Sequence, residues 1–115
     1  MSIHQLYLNL LTTSESIEFT PESQEFFLKN IKNIDEKGYE MIYILIKTFE
    51  IENNPLYNQL KLPYEGSGVP PKEMKFDLEK FPEKLKKILF KFLTIHIKNM
   101  EEEQKITKQR QNLNI

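Results

Sequence analysis

Met41-Ile42-Tyr43-Ile44-Leu45-Ile46 is an apolar run without alternation, and its reading decides the fold. Inside six residues, periodicity does not separate a buried strand from a buried helix. The flanks do. Tyr39, Ile42, Ile46 and Phe49 keep helical spacing over more than ten residues, longer than an ordinary strand. The run is therefore the middle of a helix over about 35–52, opened by Asp35-Glu36 and ended by Asn53-Asn54-Pro55. A helix apolar on most sides belongs at the centre of a small bundle. The expected fold class is all-α.

Upstream, Thr20-Pro21-Glu22 is a helix start. It offers a hydroxyl N-cap, a proline at the first helical position and an acid near the positive dipole end. That helix is expected from Pro21 to Asn33, with Phe27, Ile31 and Ile34 as its apolar line and Phe26 beside it. Further back, Ile3, Leu6, Tyr7, Leu10 and Leu11 share one face of a short helix over 2–12, with Ser2 as its cap. So short a helix is marginal alone, and its stripe must dock on its own domain or on a second copy.

Downstream, residues 53–73 form a long connection rich in Asn, Pro and Gly, as functional or disordered loops are. Gly66-Ser67-Gly68 is not a phosphate cradle, because no Gly-Lys-Ser/Thr follows it. Glu73 to Leu78 then alternates with period two. Met74, Phe76 and Leu78 fall on one face, and Glu73, Lys75 and Asp77 on the other. Either a partner or the upstream 60–64 must pair with this short strand. Phe81-Pro82-Glu83 starts the last helix, whose buried line is Leu85, Ile88, Leu89, Phe92 and Ile95 or His96. The polar end from Lys105 to Ile115 is expected to fray. The organisation is thus an N-terminal helix and connector (1–19), a helical domain (20–100) and a polar helix extension or tail (101–115).

The chain has 115 residues, enough for one compact domain. It has no cysteine, which fits a reducing compartment, and no basic leader or membrane-length apolar run, so an intracellular location is expected. The formal net charge is -1, against a dedicated nucleic-acid binder. Charge is uneven, however: residues 1–60 carry nine acids and four bases, and 61–115 carry eight acids and twelve bases. Lys80, Lys84, Lys87 and Lys91 would share one helical face and offer a weak phosphate-binding reading. Arginines and stacking aromatics are missing from that face, and Glu79 and Glu83 lie beside it.

No catalytic motif is visible, so the chain is expected to be no enzyme. There is no thiol nucleophile, and His4 and His96 stand in no motif. His96 reads as a satisfied core histidine. Two distant histidines do not make a zinc site, and Glu101-Glu102-Glu103 point in different directions along a helix. No metal and no cofactor are expected.

The order of helix, helix, long connection, alternating strand and helix resembles the extra-terminal (NET) domain of the bromodomain and extra-terminal (BET) proteins. Phe27 to Lys37 is similar to that family's first helix and the turn into the second. Met41 to Ile46 is similar to its second helix. Met74 to Leu85 is similar to its strand, its proline-led helix start and the first turn of its third helix. The resemblance implies a three-helix domain, here with an extra short N-terminal helix. Stand-alone domains of this kind in large DNA viruses would suit the Lys-, Ile- and Asn-rich composition, and would put the protein in a nucleus or a viral replication site.

The resemblance also implies a non-catalytic module in transcription or chromatin regulation, binding a short linear motif by strand pairing beside an apolar groove. The residues expected to carry this are Ile42, Leu45 and Ile46 with Met74, Phe76 and Leu78, while Glu73, Lys75 and Asp77 set pairing and charge selection. One departure stands out. The family's strand is typically acidic on its polar face, and here Lys75 sits between Glu73 and Asp77. The alternatives are a homo-oligomer joined through Ile3, Leu6, Tyr7, Leu10 and Leu11, and the lysine face on nucleic acid.

Overall fold

The computed structural model describes residues 3–54, 56, 62–64, 66–69 and 73–113, with side chains as far as Ile106. Its elements are α1 (Ile3–Thr13), α2 (Pro21–Asn30), a 3-10 turn (Ile31–Asn33), α3 (Glu36–Asn53), a second 3-10 turn (Leu78–Lys80) and α4 (Glu83–Leu113). The all-α expectation holds among the described residues. The expected Ser2 cap, Pro55 of the expected helix stop and residues 60 and 61 of the expected hairpin partner lie outside them.

The helix starts form for the reasons their sequence gives. The Thr20 hydroxyl accepts from the Ser23 N–H at 3.1 Å, with Pro21 behind it in the first turn. The Asp35 carboxylate accepts from the Gly38 N–H at 2.9 Å and caps α3. The helix over 21–33 breaks into α2 and a 3-10 turn, so that Ile34 can turn inward ahead of the Asp35 cap.

The hub of the bundle is α4, a correction to the expectation that α3 is central. α4 packs against α1, α2 and α3. Leu85, Ile88, Leu89 and Leu93 are wholly buried along it. The last of these replaces Ile95, which is 42% exposed, because Leu93 continues the line from Leu89 one turn on. α3 contributes Ile42, Leu45, Ile46 and Phe49, and α2 with its turn contributes Phe27 and Ile34. Each fully buried aliphatic side chain stabilises the fold by about 2 kcal/mol relative to exposure. Past Met100, α4 continues to Leu113, and Glu101, Glu102 and Glu103 are exposed.

The α1 stripe is covered by its own chain. Tyr7 and Leu10 are buried in the common core, and Leu6 and Leu11 are half-buried against it. Tyr7 reaches the C-terminal end of α3, where its hydroxyl bonds the Asn53 side chain. Burial, with Glu52 close by, pushes that phenol above its usual range. Of the five residues offered for self-association, Ile3 alone is exposed, and the other four pack on this chain's own core.

His96 joins α4 to the start of α3. Its Nε2–H donates to Asp35 Oδ1 at 2.7 Å, and its ring stacks on Phe92 at 5.3 Å. Gly38 makes this approach possible: a Cβ there would lie 2.9 Å from His96 Nε2 and 2.8 Å from Ile34 Cδ1. The histidine is thus a satisfied structural group, as its sequence context suggests. The His96 bond, and then the Gly38 N–H, hold the Asp35 carboxyl below its ordinary value of 3.8. A carboxyl lowered in the folded state stabilises the fold above its unfolded pKa, and this contribution is lost as pH falls through the folded value. Thermal melts should therefore show an acid limb that steepens below about pH 4 and is blunted in Asp35→Asn. Asp35→Ala should cost about 1–2 kcal/mol at neutral pH through loss of the cap alone.

Candidate functional site

The connector before α4 is built on two turns. Gly68 has φ +94, a conformation that side-chain-bearing residues rarely adopt, and a Cβ there would fall 1.8 Å from the Glu73 carbonyl oxygen. This close approach folds the chain back so that Ser67 and Lys75 pair. The Ser67 N–H donates to the Lys75 carbonyl at 3.0 Å, and the Lys75 N–H returns the bond at 2.7 Å. The Glu73 N–H also turns to this side, donating to the Val69 carbonyl at 3.0 Å.

The expected strand over 73–78 is therefore shortened to one antiparallel bridge. Its far end is cut by the second 3-10 turn, where the Asp77 carboxylate accepts from the Glu79 N–H at 3.1 Å. Lys75 pairs with Ser67. Of the expected hairpin partner, 60–64, residues 62–64 make no bridge among the described residues, and residues 60 and 61 lie outside them.

Backbone direction alternates along an extended chain. Lys75 and Glu73 point their N–H groups toward 67–69, so Met74 and Phe76 present theirs on the opposite edge. Among the described residues, neither has a backbone partner there. The Met74 and Phe76 side chains are half-buried against the core. Phe76 lies 5.5 Å from the Phe81 ring, and Tyr64 meets Phe81 edge-on at 5.3 Å. These aromatic contacts tie the connector to the entry of α4.

Between this segment and the helices runs an open groove of about 370 Å³. Phe27 and Leu28 of α2, with Ile31 and Lys32 of the following turn, form one wall. Tyr39, Ile42 and Ile46 of α3 contribute to it, and Met74, Lys75, Phe76, Leu78 and Phe81 complete it. Leu28 is 46% exposed, so the groove opens to solvent on the α2 side. Among the described residues, Lys32 and Lys75 are its only charged lining residues, and both are exposed.

The structure thus brings together Ile42, Ile46, Met74, Lys75, Phe76 and Leu78 of the expected site. It separates three others. Leu45 is fully buried and faces the core, one helical step away from the groove. Glu73 and Asp77 are exposed and do not line the groove. The α2 wall was missed. Its signal is the pair Phe27-Leu28 followed three and four residues later by Ile31-Lys32, which makes a second apolar edge beside the core line.

No family model, curated protein or solved structure matches this chain. The site is read on its own geometry.

The lysine face is also interrupted. Lys80 lies in the 3-10 turn, and Phe81-Pro82 separates it from α4, so the helical face keeps only Lys84, Lys87 and Lys91. Among the described residues, no group of three metal-ligating side chains converges. No described helix is long and apolar enough to cross a membrane.

Proposed function

We propose that the chain is a non-catalytic interaction module that captures a short linear peptide by strand addition beside the α2–α3 groove. The observation that carries this is that Met74 and Phe76, which line the groove, have no backbone partner on that edge among the described residues. A peptide strand laid there would satisfy those backbone groups, while its alternate side chains entered the apolar cleft. The groove's volume lies at the small end of ligand pockets and suits a few side chains rather than a whole domain. Micromolar affinity is expected, because a disordered peptide loses entropy on ordering. The resemblance to the NET family adds the suggestion of a transcription or chromatin partner.

The test is an amide chemical-shift titration with two blocked decapeptides, one alternating isoleucine with glutamate and one alternating isoleucine with lysine. Shifts for at least one peptide, concentrated at 66–69, 74–78 and the groove face of α3, are the expected result. Silence of those amides with both peptides would remove the reading.

A further inference from the structure

We infer that the groove selects peptides that alternate apolar with acidic residues. The inference rests on the peptide-reader function proposed above and fixes the chemistry of its ligand. Among the described residues, the charged groups that line the mainly apolar cleft are two lysines from different elements: Lys32 on the turn after α2, and Lys75 on the connector. Neither forms an ion pair among the described residues. Among the described residues, no acidic side chain lines the groove. The acids nearest in sequence to Lys75, Glu73 and Asp77, are exposed and do not line the groove, and one Asp77 carboxylate oxygen accepts from the Glu79 N–H.

A strand seated in this groove would send every second side chain into an apolar cleft and the intervening ones toward its rim. Rim side chains would meet Lys75 on one side and Lys32 on the other. Carboxylates there gain two opposite charges, whereas ammonium groups meet two like charges. Both lysines carry long apolar stems, so each can pack on the groove while its head stays in water.

The expected preference follows from two solvent-exposed pairs, each modest alone. At low ionic strength the glutamate-isoleucine peptide should bind roughly fivefold to tenfold tighter than the lysine-isoleucine peptide. The ratio should shrink as salt rises, because exposed charges are screened. In the full chain carrying Lys32→Glu and Lys75→Glu together, the order should invert, with the α4 core amides unmoved. Both residues are exposed, and each single variant, which should give about half the effect, backs up the double one.

Three outcomes decide the matter. Preference for the acidic peptide that inverts in the double variant supports the assignment. Groove shifts with equal or tighter binding of the lysine peptide to the unsubstituted chain overturn the charge assignment and leave the peptide-reader function standing. Groove silence with both peptides overturns that function, and the selectivity falls with it.

Discussion

Leu45→Ala is expected to destabilise the fold by about 3 kcal/mol, within the range of buried leucine truncations. Leu45 is fully buried on α3, which packs against α4, in the same core cluster as Ile42, Ile46, Leu85, Ile88 and Leu89. Removing its branched end leaves a cavity in a wholly buried part of the core. Domains of this size have total stabilities of about 5–15 kcal/mol. The loss is therefore a large fraction, and thermal unfolding should drop by roughly 10 °C or more. The peptide affinity of the molecules that remain folded should be unchanged, since Leu45 does not reach the groove. The same truncation at Met74, half-buried on the groove, should reverse the pattern: a small change in stability and a clear loss of binding. Urea unfolding curves and titrations at low temperature separate the two effects.

Gly68→Ala is expected to weaken peptide binding at least tenfold and to leave the four-helix core intact. The added Cβ would sit 1.8 Å from the Glu73 carbonyl oxygen, a backbone atom that has no side-chain freedom to retreat. The positive φ adds strain of about 1 kcal/mol or more for a residue with a side chain. Against this stand the two backbone bonds between Ser67 and Lys75, each worth about 1 kcal/mol net. The balance favours opening the turn. Lys75 and Phe76 would then lose their alignment, and the edge that receives the peptide would go with them. Far-ultraviolet circular dichroism should report unchanged helix content, while the titration reports the lost groove shifts. Retained affinity in a folded Gly68→Ala chain would show that the bridge does not hold the edge in place.

The helices were legible because each carries its own local signals. Thr20-Pro21 and Asp35 both cap where their residue types say they should, and the spacing of Leu85, Ile88, Leu89 and Phe92 marks a buried stripe. The hub was not legible. α3 looks central because its middle is apolar all round, but Met41, Tyr43 and Ile44 prove to be only half-buried. Helical apolar content does not say how many neighbours a helix has, whereas the docking of α1 and α2 on α4 depends on tertiary geometry.

The groove was legible in part. Met74, Phe76 and Leu78 line the groove, but so does Lys75, which period two puts on the other face, and Leu78 lies in the 3-10 turn that ends the extended stretch. Leu45 was misplaced because Ile42, Leu45 and Ile46 lie within about one helical turn, and a few tens of degrees of rotation separate floor from core. Lys32 escaped notice because it is polar on a stretch read for its apolar line. The bridge to Ser67 escaped because it depends on the left-handed turn at Gly68, a feature of one backbone angle rather than of any pattern.

The central claim is that a peptide completes the edge at Met74 and Phe76, and backbone amide exchange tests it residue by residue. In the free protein the Lys75 amide, bonded to Ser67 at 2.7 Å, should be protected relative to those of Met74 and Phe76. With saturating glutamate-isoleucine peptide, the account predicts exchange slowed at least tenfold at Met74 and Phe76 and little changed at Lys75. Groove shifts without any gain of protection at Met74 or Phe76 would contradict strand addition and leave the cleft as a pocket for side chains alone.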